Sequence, residues 1–301
     1  MINSRRSEND EAMNLPPRHN RRQRRTLQAS RDAADEFADL EPLNQLISLR
    51  NKRALITGAA AGIGKAIARR FAEAGAHLDL VDINAERLAV TRSELARFEI
   101  DVKTHIVDLS KKEAIDHLWG NFNEDTPNIL VNNAGVYAFK DFVDVDEDFY
   151  RRVMDINLCS VYWMCQHLIK RRLKQGGIII NISSIEAILP FKKDLAHYSV
   201  SKAGVIALTR ALAKEHARHG FRVNAILPGG IITEGTKSAA MQILQFKFDL
   251  LLAGIDFARR LPAGRPGRPD EVARIALVLA SDLASYVHGA IIPIDGGFLA
   301  A

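Results

Sequence analysis

The chain has 301 residues, 47% of them hydrophobic and 26% charged, which is globular composition with enough apolar residues for a sizeable core and excludes a collagen-like or wholly disordered chain. The net charge of +5 is unevenly placed: residues 1–26 hold seven Arg against three acids, residues 27–50 two Arg against five, and the rest 32 Lys plus Arg against 28 Asp plus Glu, so no nucleic-acid partner is expected for the main body. No apolar run reaches the ~18–20 residues of a transmembrane helix and no apolar h-region follows the N-terminus, so neither a membrane span nor a secretory leader is expected.

Residues 1–50 read as a disordered or loosely ordered extension. They contain Pro16-Pro17, the run Arg21-Arg22-Gln23-Arg24-Arg25 and few bulky apolar residues. Such a segment cannot bury enough surface to offset its ordering entropy. Acids at Glu8, Asp10 and Glu11 argue against a mitochondrial transit peptide. One weak helix is expected over 33–48, on Phe37, Leu40, Leu43, Leu46 and Ile47.

At Arg53 the character changes. Arg53-Ala54-Leu55-Ile56-Thr57 predicts a short buried strand, followed by Gly58-Ala59-Ala60-Ala61-Gly62-Ile63-Gly64 and a helix from Lys65 to Ala74. Strand, glycine-rich turn and helix in that order make a phosphate cradle: the glycines let an anion approach the backbone, and the helix N-terminus presents free N–H groups and a positive dipole. A second strand, His77–Val81, ends at Asp82, 24 residues after Gly58. In a dinucleotide-binding βαβ unit a carboxylate there accepts from the adenosine ribose hydroxyls and repels a 2′-phosphate. No cation stands at Ala59, Ala60, Ala61 or Ile83, so NAD is expected over NADP. The alternative role for Asp82 is a helix N-cap.

The alternation continues. A helix is expected over 84–98, a strand over 101–107 ending at Asp108-Leu109, and a helix over 111–122. Next come a strand Asn128–Val131 running into Asn132-Asn133-Ala134-Gly135 and a long helix over 146–174 holding Asn157. The strand Gly177–Ile182 ends in Ser183-Ser184. A helix with Tyr198 and Lys202 runs to His219, and the strand Phe221–Leu227 ends at Pro228-Gly229-Gly230. A helix over 270–283 and a strand Ala290–Ile294 close the chain. Repeated β-then-α predicts a doubly wound, Rossmann-type α/β domain over 51–301, with about seven parallel strands and helices on both faces. Ligands bind such sheets beyond the carboxyl ends of the strands, where Gly58, Asp82, Asp108, Asn133, Ser184 and Pro228 all fall. Cys159 and Cys165, six apart in one helix, read as core or near-core thiols compatible with a reducing compartment, and no metal pattern is present.

Tyr198-Ser199-Val200-Ser201-Lys202 places a phenol and an ammonium at i and i+4 on one helical face. A positive charge beside a Tyr favours the phenolate and draws its pKa down from ~10, so the pair is expected to work as a general acid/base.

Taken together, Thr57-Gly58-x-x-x-Gly62-Ile63-Gly64, Asn132-Asn133-Ala134-Gly135, Asn157, Ser184, Tyr198-x-x-x-Lys202, Pro228-Gly229-x-x-x-Thr233 and Asp295-Gly296-Gly297 resemble the classical short-chain dehydrogenase/reductase family over residues 50–301. The resemblance implies an oxidoreductase interconverting a secondary alcohol and a ketone, with Tyr198 as acid/base and Lys202 tuning it and binding the nicotinamide ribose. It implies Ser184 as donor to the substrate oxygen and Asn157 as holder of a relay water. Gly58, Gly62, Ile63, Gly64, Asp82, Asp108, Leu109, Asn133, Pro228, Ile231 and Thr233, together with Tyr198 and Lys202, would line the cofactor. Ser184 stands 14 residues before Tyr198, where 13 is common, and Ala187 replaces a usual glycine; both read as a lengthened substrate loop, Ile185 to His197.

A lid over 233–265, carrying Met241, Leu244, Phe246, Phe248 and Leu250–Leu252, would cover the substrate or pack on the body or another subunit. Lys192 and Lys193 read as a solvated loop or a site for an anionic substrate. A sugar, polyol or other small hydroxy compound is expected; a 3-oxoacyl-thioester or steroid-type reductase is the alternative within the family, and a non-catalytic NAD sensor or interaction protein the alternative outside it. The resemblance also implies a cytoplasmic homo-oligomer, a tetramer or dimer, through the helices 146–174 and 198–219.

Overall fold

The computed structural model describes residues 40–123, 125–234 and 260–301. The chain divides into two compact units, Met1–Gln45 and Leu46–Ala301. Of the helix expected over 33–48, residues 33–39 lie outside the described residues, and among the others only Leu43–Leu46 is helical; most of the expected lid also lies outside the described residues.

The second unit is built on one parallel sheet in the order β3-β2-β1-β4-β5-β6-β7. Its strands are β1 Arg53–Thr57, β2 His77–Asp82, β3 Val102–Ile106, β4 Ile129–Asn132, β5 Gly177–Ile182, β6 Phe221–Pro228 and β7 Ile291–Ile294. The α-helices between them are α1 Gly62–Glu73, α2 Ala85–Leu95, α3 Lys112–Gly120, α4 Glu147–Met154, α5 Ser160–Arg172, α6 Ala196–His216 and α7 Pro269–Ala280. The seven strands and the doubly wound arrangement match the expectation, and the expected boundaries lie within a few residues of those observed.

Successive strand residues feed opposite cores. Ala54 and Ile56 join a cluster with Ile67, Phe71 and Ala276, beneath α1 and α7. Leu55, between them, joins Trp119, Leu130 and Leu168 on the other face, beneath α3 and α5. Burial on both faces explains the unbroken apolar runs of the central strands. The edges are softer: Ile106 of β3 is exposed, and β7 carries Pro293, a residue tolerated on an edge strand because its missing N–H breaks no ladder.

The strand order sets the site. From β1 the chain winds outward through β2 to β3, then returns to place β4 on the other side of β1. The order reverses between β1 and β4, and a crevice opens at their carboxyl ends. Gly58 and Asn133 stand there, one after each strand.

Candidate functional site

The glycine-rich turn is narrower than the sequence implies. Helix α1 begins at Gly62, not at Lys65, so Gly62-Ile63-Gly64 form its first turn. Glycines weaken helix propensity, which is why that turn reads as loop in sequence. Ala61 is the N-cap and no side chain caps the helix. A helix start left without a side-chain cap suits an anion. Gly58 takes φ +64°, a left-handed value that a side chain would strain. Two staples hold the turn against β4: Asn133 Nδ2 donates to the carbonyls of Thr57 (3.0 Å) and Gly58 (3.1 Å), and the Thr57 hydroxyl accepts from the N–H groups of Asn133 (2.9 Å) and Ala134 (3.0 Å).

Asp82 ends β2 beside that turn. Its Oδ2 accepts from Ala60 N–H at 3.0 Å and its Oδ1 from Asn84 N–H at 2.9 Å. The helix cap considered for it is Asn84 instead, whose side chain accepts from Arg87 N–H. A carboxylate offers about four lone-pair sites, so each oxygen of Asp82 keeps one for a ribose hydroxyl. Asp108, after β3, is engaged locally: one of its oxygens accepts from both the backbone and the hydroxyl of Ser110, and the hydroxyl bond holds the carboxyl below its ordinary range. Leu109 beside it is buried. With an uncapped helix start, a carboxylate at the end of β2 and an adjoining cavity, these residues fit a bound dinucleotide.

Next to the cradle lies a cavity of about 400 Å³. Ile63 and Asn133 line it, with Ser184, Tyr198, Lys202, Pro228, Ile231 and Thr233. Residues at the ends of β4, β5 and β6 thus meet there with Ile63 of α1 and with Tyr198 and Lys202 of α6. Tyr198 and Lys202 lie one turn apart on α6, as the i, i+4 spacing requires. The Lys202 ammonium donates to the Ile182 carbonyl at 2.9 Å and sits 5.9 Å from the centre of the Tyr198 ring. The Ser184 hydroxyl lies near enough to the Tyr198 phenol to favour its phenolate and accepts from Glu186 N–H at 3.2 Å. Ser183 is otherwise engaged: its hydroxyl donates to the Lys202 carbonyl at 2.8 Å, leaving Ser184 as the hydroxyl beside the phenol.

Asn157 is fully buried in a π-helical turn, Asp155–Cys159, that interrupts the single long helix expected over 146–174. Its amide bonds Val136 on the loop after β4, where Oδ1 accepts from Val136 N–H at 2.8 Å and Nδ2 donates to the Val136 carbonyl at 3.0 Å, and Nδ2 also donates to the Ser201 hydroxyl of α6 at 3.3 Å. The side chain therefore ties that helix to the loop. π turns of this kind recur at functional sites because one backbone carbonyl is released from the helical ladder.

The titration of the pair differs from expectation. Burial pushes the Tyr198 phenol up to about 12, against the pull of Ser184 and with a further push from the Glu186 carboxylate. Burial also brings Lys202 down to about 8. The helical spacing correctly placed the ammonium beside the phenol, but desolvation opposes charge on both groups. A lysine whose folded pKa lies below its unfolded one lowers stability at every pH under about 8, and the penalty fades as pH rises from about 8 to 10.5. Lys202→Met is therefore expected to raise unfolding stability at pH 7 by about 1–3 kcal/mol. The gain should shrink towards pH 10.5 in thermal unfolding followed across that range.

Sequence reasoning passed over two lining residues. Tyr137, two after Gly135, packs its ring edge-on against Tyr198 with centroids 4.8 Å apart. Glu186 is a buried carboxylate in the wall; the available signal was a single acid inside the apolar stretch Ile185-x-Ala187-Ile188-Leu189. Lys192 also lines the cavity, with its ammonium over the rings of Tyr137 (5.5 Å) and Phe191 (5.6 Å), and so is not the solvated loop residue considered. Phe191 in turn packs at a tilt against Phe298, with ring centroids 4.8 Å apart. Asp295 positions that C-terminal turn by accepting from Gly297 and Leu299 N–H, which sets Phe298 behind Phe191 of the wall.

A family model described as enoyl-(acyl carrier protein) reductase matches residues 58–299. The chain is 36% identical over 255 residues to the 3-oxoacyl-(acyl-carrier-protein) reductase FabG of Chlamydia trachomatis, covering 83% of this chain and 98% of that protein. It is also 36% identical over 255 residues to the NAD-dependent glycerol dehydrogenase of Listeria innocua, covering 83% of this chain and 95% of that one. Among solved structures it superposes with a TM-score of 0.77 and 33% identity on a candidate 2-deoxy-D-gluconate 3-dehydrogenase from Agrobacterium tumefaciens with bound NADP, covering 85% of this chain and 99% of that one.

Proposed function

Because the chain belongs to the classical short-chain dehydrogenase/reductase family and is an oxidoreductase acting on CH–OH groups, we propose that it interconverts a small polyhydroxylated secondary alcohol and its ketone, with NAD preferred over NADP. The observation that carries this reading is the meeting of Ser184, Tyr198 and Lys202 with the uncapped start of α1 around one cavity. A nicotinamide dinucleotide in the crevice supplies the hydride acceptor or donor. Tyr198 takes the hydroxyl proton as the C–H bond gives up its hydride, and returns the proton in the reverse direction. Ser184 donates a hydrogen bond to the substrate oxygen and steadies its developing charge. Lys202 holds positive charge beside the phenol, which opposes the desolvation that disfavours the phenolate. Asn157, through its π turn, keeps the path from Lys202 to solvent in place.

NAD preference rests on Asp82 and on the lack of a cation at 59–61 and 83. Calorimetric titration with NAD and NADP tests it: tighter NAD binding is expected, and Asp82→Ala should weaken NAD by about 10–100-fold, the worth of a hydrogen bond to a charged group. Equal or tighter NADP binding by the unaltered protein would remove the assignment. Similarity to FabG favours a second reading, reduction of a 3-oxoacyl thioester, so a thioester with NADPH belongs in the same substrate screen. The exposed Tyr150, Tyr162 and Val200 on α4, α5 and α6 support a homo-oligomer through those helices. No helix among the described residues is long and apolar enough to cross a membrane, which agrees with a cytoplasmic enzyme.

A further inference from the structure

Glu186 combines three properties that rarely coincide. It is 2% exposed, it lines the cavity that holds Ser184 and Tyr198, and its Oε1 has no hydrogen-bond partner. Its other oxygen accepts from Phe191 N–H at 3.2 Å, so the carboxylate is anchored at one end and unpaired at the other. Its backbone N–H donates to Ser184 Oγ, which ties its position to the hydroxyl that meets the substrate oxygen. A buried acceptor without a donor is destabilising. Burial lifts this carboxyl to about 7, although Phe191 N–H and the Lys192 charge both oppose the rise. Among the described residues Oε1 has no hydrogen-bond partner.

We infer that Glu186 is a specificity residue whose unpaired carboxylate oxygen accepts from a second hydroxyl of the substrate, one close to the reacting carbinol, so that the pocket selects vicinal diols and polyols over simple secondary alcohols. Lys192 supplies the complementary donor: its ammonium lies over Tyr137 and Phe191 and is not paired with a carboxylate within salt-bridge distance in the described residues. The wall thus offers an acceptor and a donor, matching a hydroxyl, which is both. An apolar chain or a ring without a neighbouring hydroxyl would cover Oε1 and leave it unsatisfied. A site built to bond a hydroxyl discriminates strongly against the analogue that lacks it, because the site's own polar group is then stranded. This inference narrows the substrate class of the reading above and rests on it for the position of the reacting carbinol.

The test separates binding from turnover. The full chain is titrated calorimetrically, with NAD present, with cyclohexane-1,2-diol (cis and trans) and with cyclohexanol. Tighter binding of a diol by about 10–100-fold is expected, falling to less than about threefold in Glu186→Leu and to an intermediate ratio in Glu186→Gln, which keeps a neutral acceptor. Thermal unfolding without alcohol supplies the second readout. A recognition group held unsatisfied should leave both variants at least as stable as the parent near pH 8, whereas a structural carboxylate should leave both less stable. Equal binding of diol and cyclohexanol by the parent, an unchanged ratio in Glu186→Leu, or lowered melting in both variants would overturn the inference. Selective diol binding without oxidation by NAD or NADP would uphold it while removing the alcohol–ketone reading.

Discussion

Replacing Tyr198 by Phe is expected to lower kcat by about 10²–10⁴-fold, the usual contribution of a positioned acid/base, equivalent to about 3–5 kcal/mol of barrier. The substitution removes one oxygen and leaves the ring, so the edge-on contact with Tyr137 persists. The same change takes away the hydroxyl that the Ser184 side chain favours as phenolate. Cofactor affinity should be nearly unchanged, because the cradle at Gly62–Gly64 and the carboxylate of Asp82 do not involve the phenol. Steady-state kinetics with an accepted alcohol, alongside calorimetric cofactor binding, check this. A variant as active as the parent would remove Tyr198 from the chemistry. The pH profile adds a direction: with the phenol raised to about 12 in the unliganded protein, alcohol oxidation should accelerate with pH through the neutral range. Any flattening of the profile then measures how far bound cofactor lowers that value.

The parts of this site legible in the sequence are those fixed by local geometry. Four residues separate Tyr198 from Lys202 in any α-helix, and the turn after β1 must carry glycine wherever its backbone passes under a dinucleotide. The strand ends were legible because buried parallel strands are apolar runs with abrupt ends, as at Thr57, Asn132 and Pro228. What escaped depends on neighbours remote in sequence. The titration of Tyr198 was expected to fall because Lys202 is nearby; it rises because of burial and Glu186, and burial is a property of the assembled pocket. Lys192 looked solvent-bound in a polar run, yet the rings of Tyr137, more than fifty positions earlier, and of Phe191 hold it in the wall. Asn157 was recognised, but the sequence gives no sign that its amide bonds Val136 and that the helix loosens to a π turn around it. Glu186 stood in plain view as one acid among apolar residues, and only the cavity shows why burial is tolerated there.

The glycine turn carries the other large effect. Gly64 has a helical position and no unusual φ, so Ala there would ordinarily be favourable by about 1 kcal/mol of propensity. In this fold a Cβ on Gly64 would fall 2.1 Å from the Gly58 carbonyl oxygen and 2.5 Å from Asn133 Nδ2. The first obstacle is backbone and cannot rotate away; the second is the side chain that staples the turn to β4. Relief requires moving α1 away from β1 or breaking the Asn133 staple, and either widens the crevice at the strand-order reversal. Gly64→Ala is therefore expected to lower stability by about 1–3 kcal/mol, the usual penalty of overpacking, in spite of its better helix propensity. It should weaken dinucleotide binding by at least about 100-fold, since the α1 N–H groups lose their alignment with the anion. Denaturant unfolding and calorimetric titration separate the two effects. Normal cofactor affinity in Gly64→Ala would mean that the pyrophosphate is not held by the first turn of α1, and the cradle would have to be sought elsewhere along the carboxyl edge of the sheet.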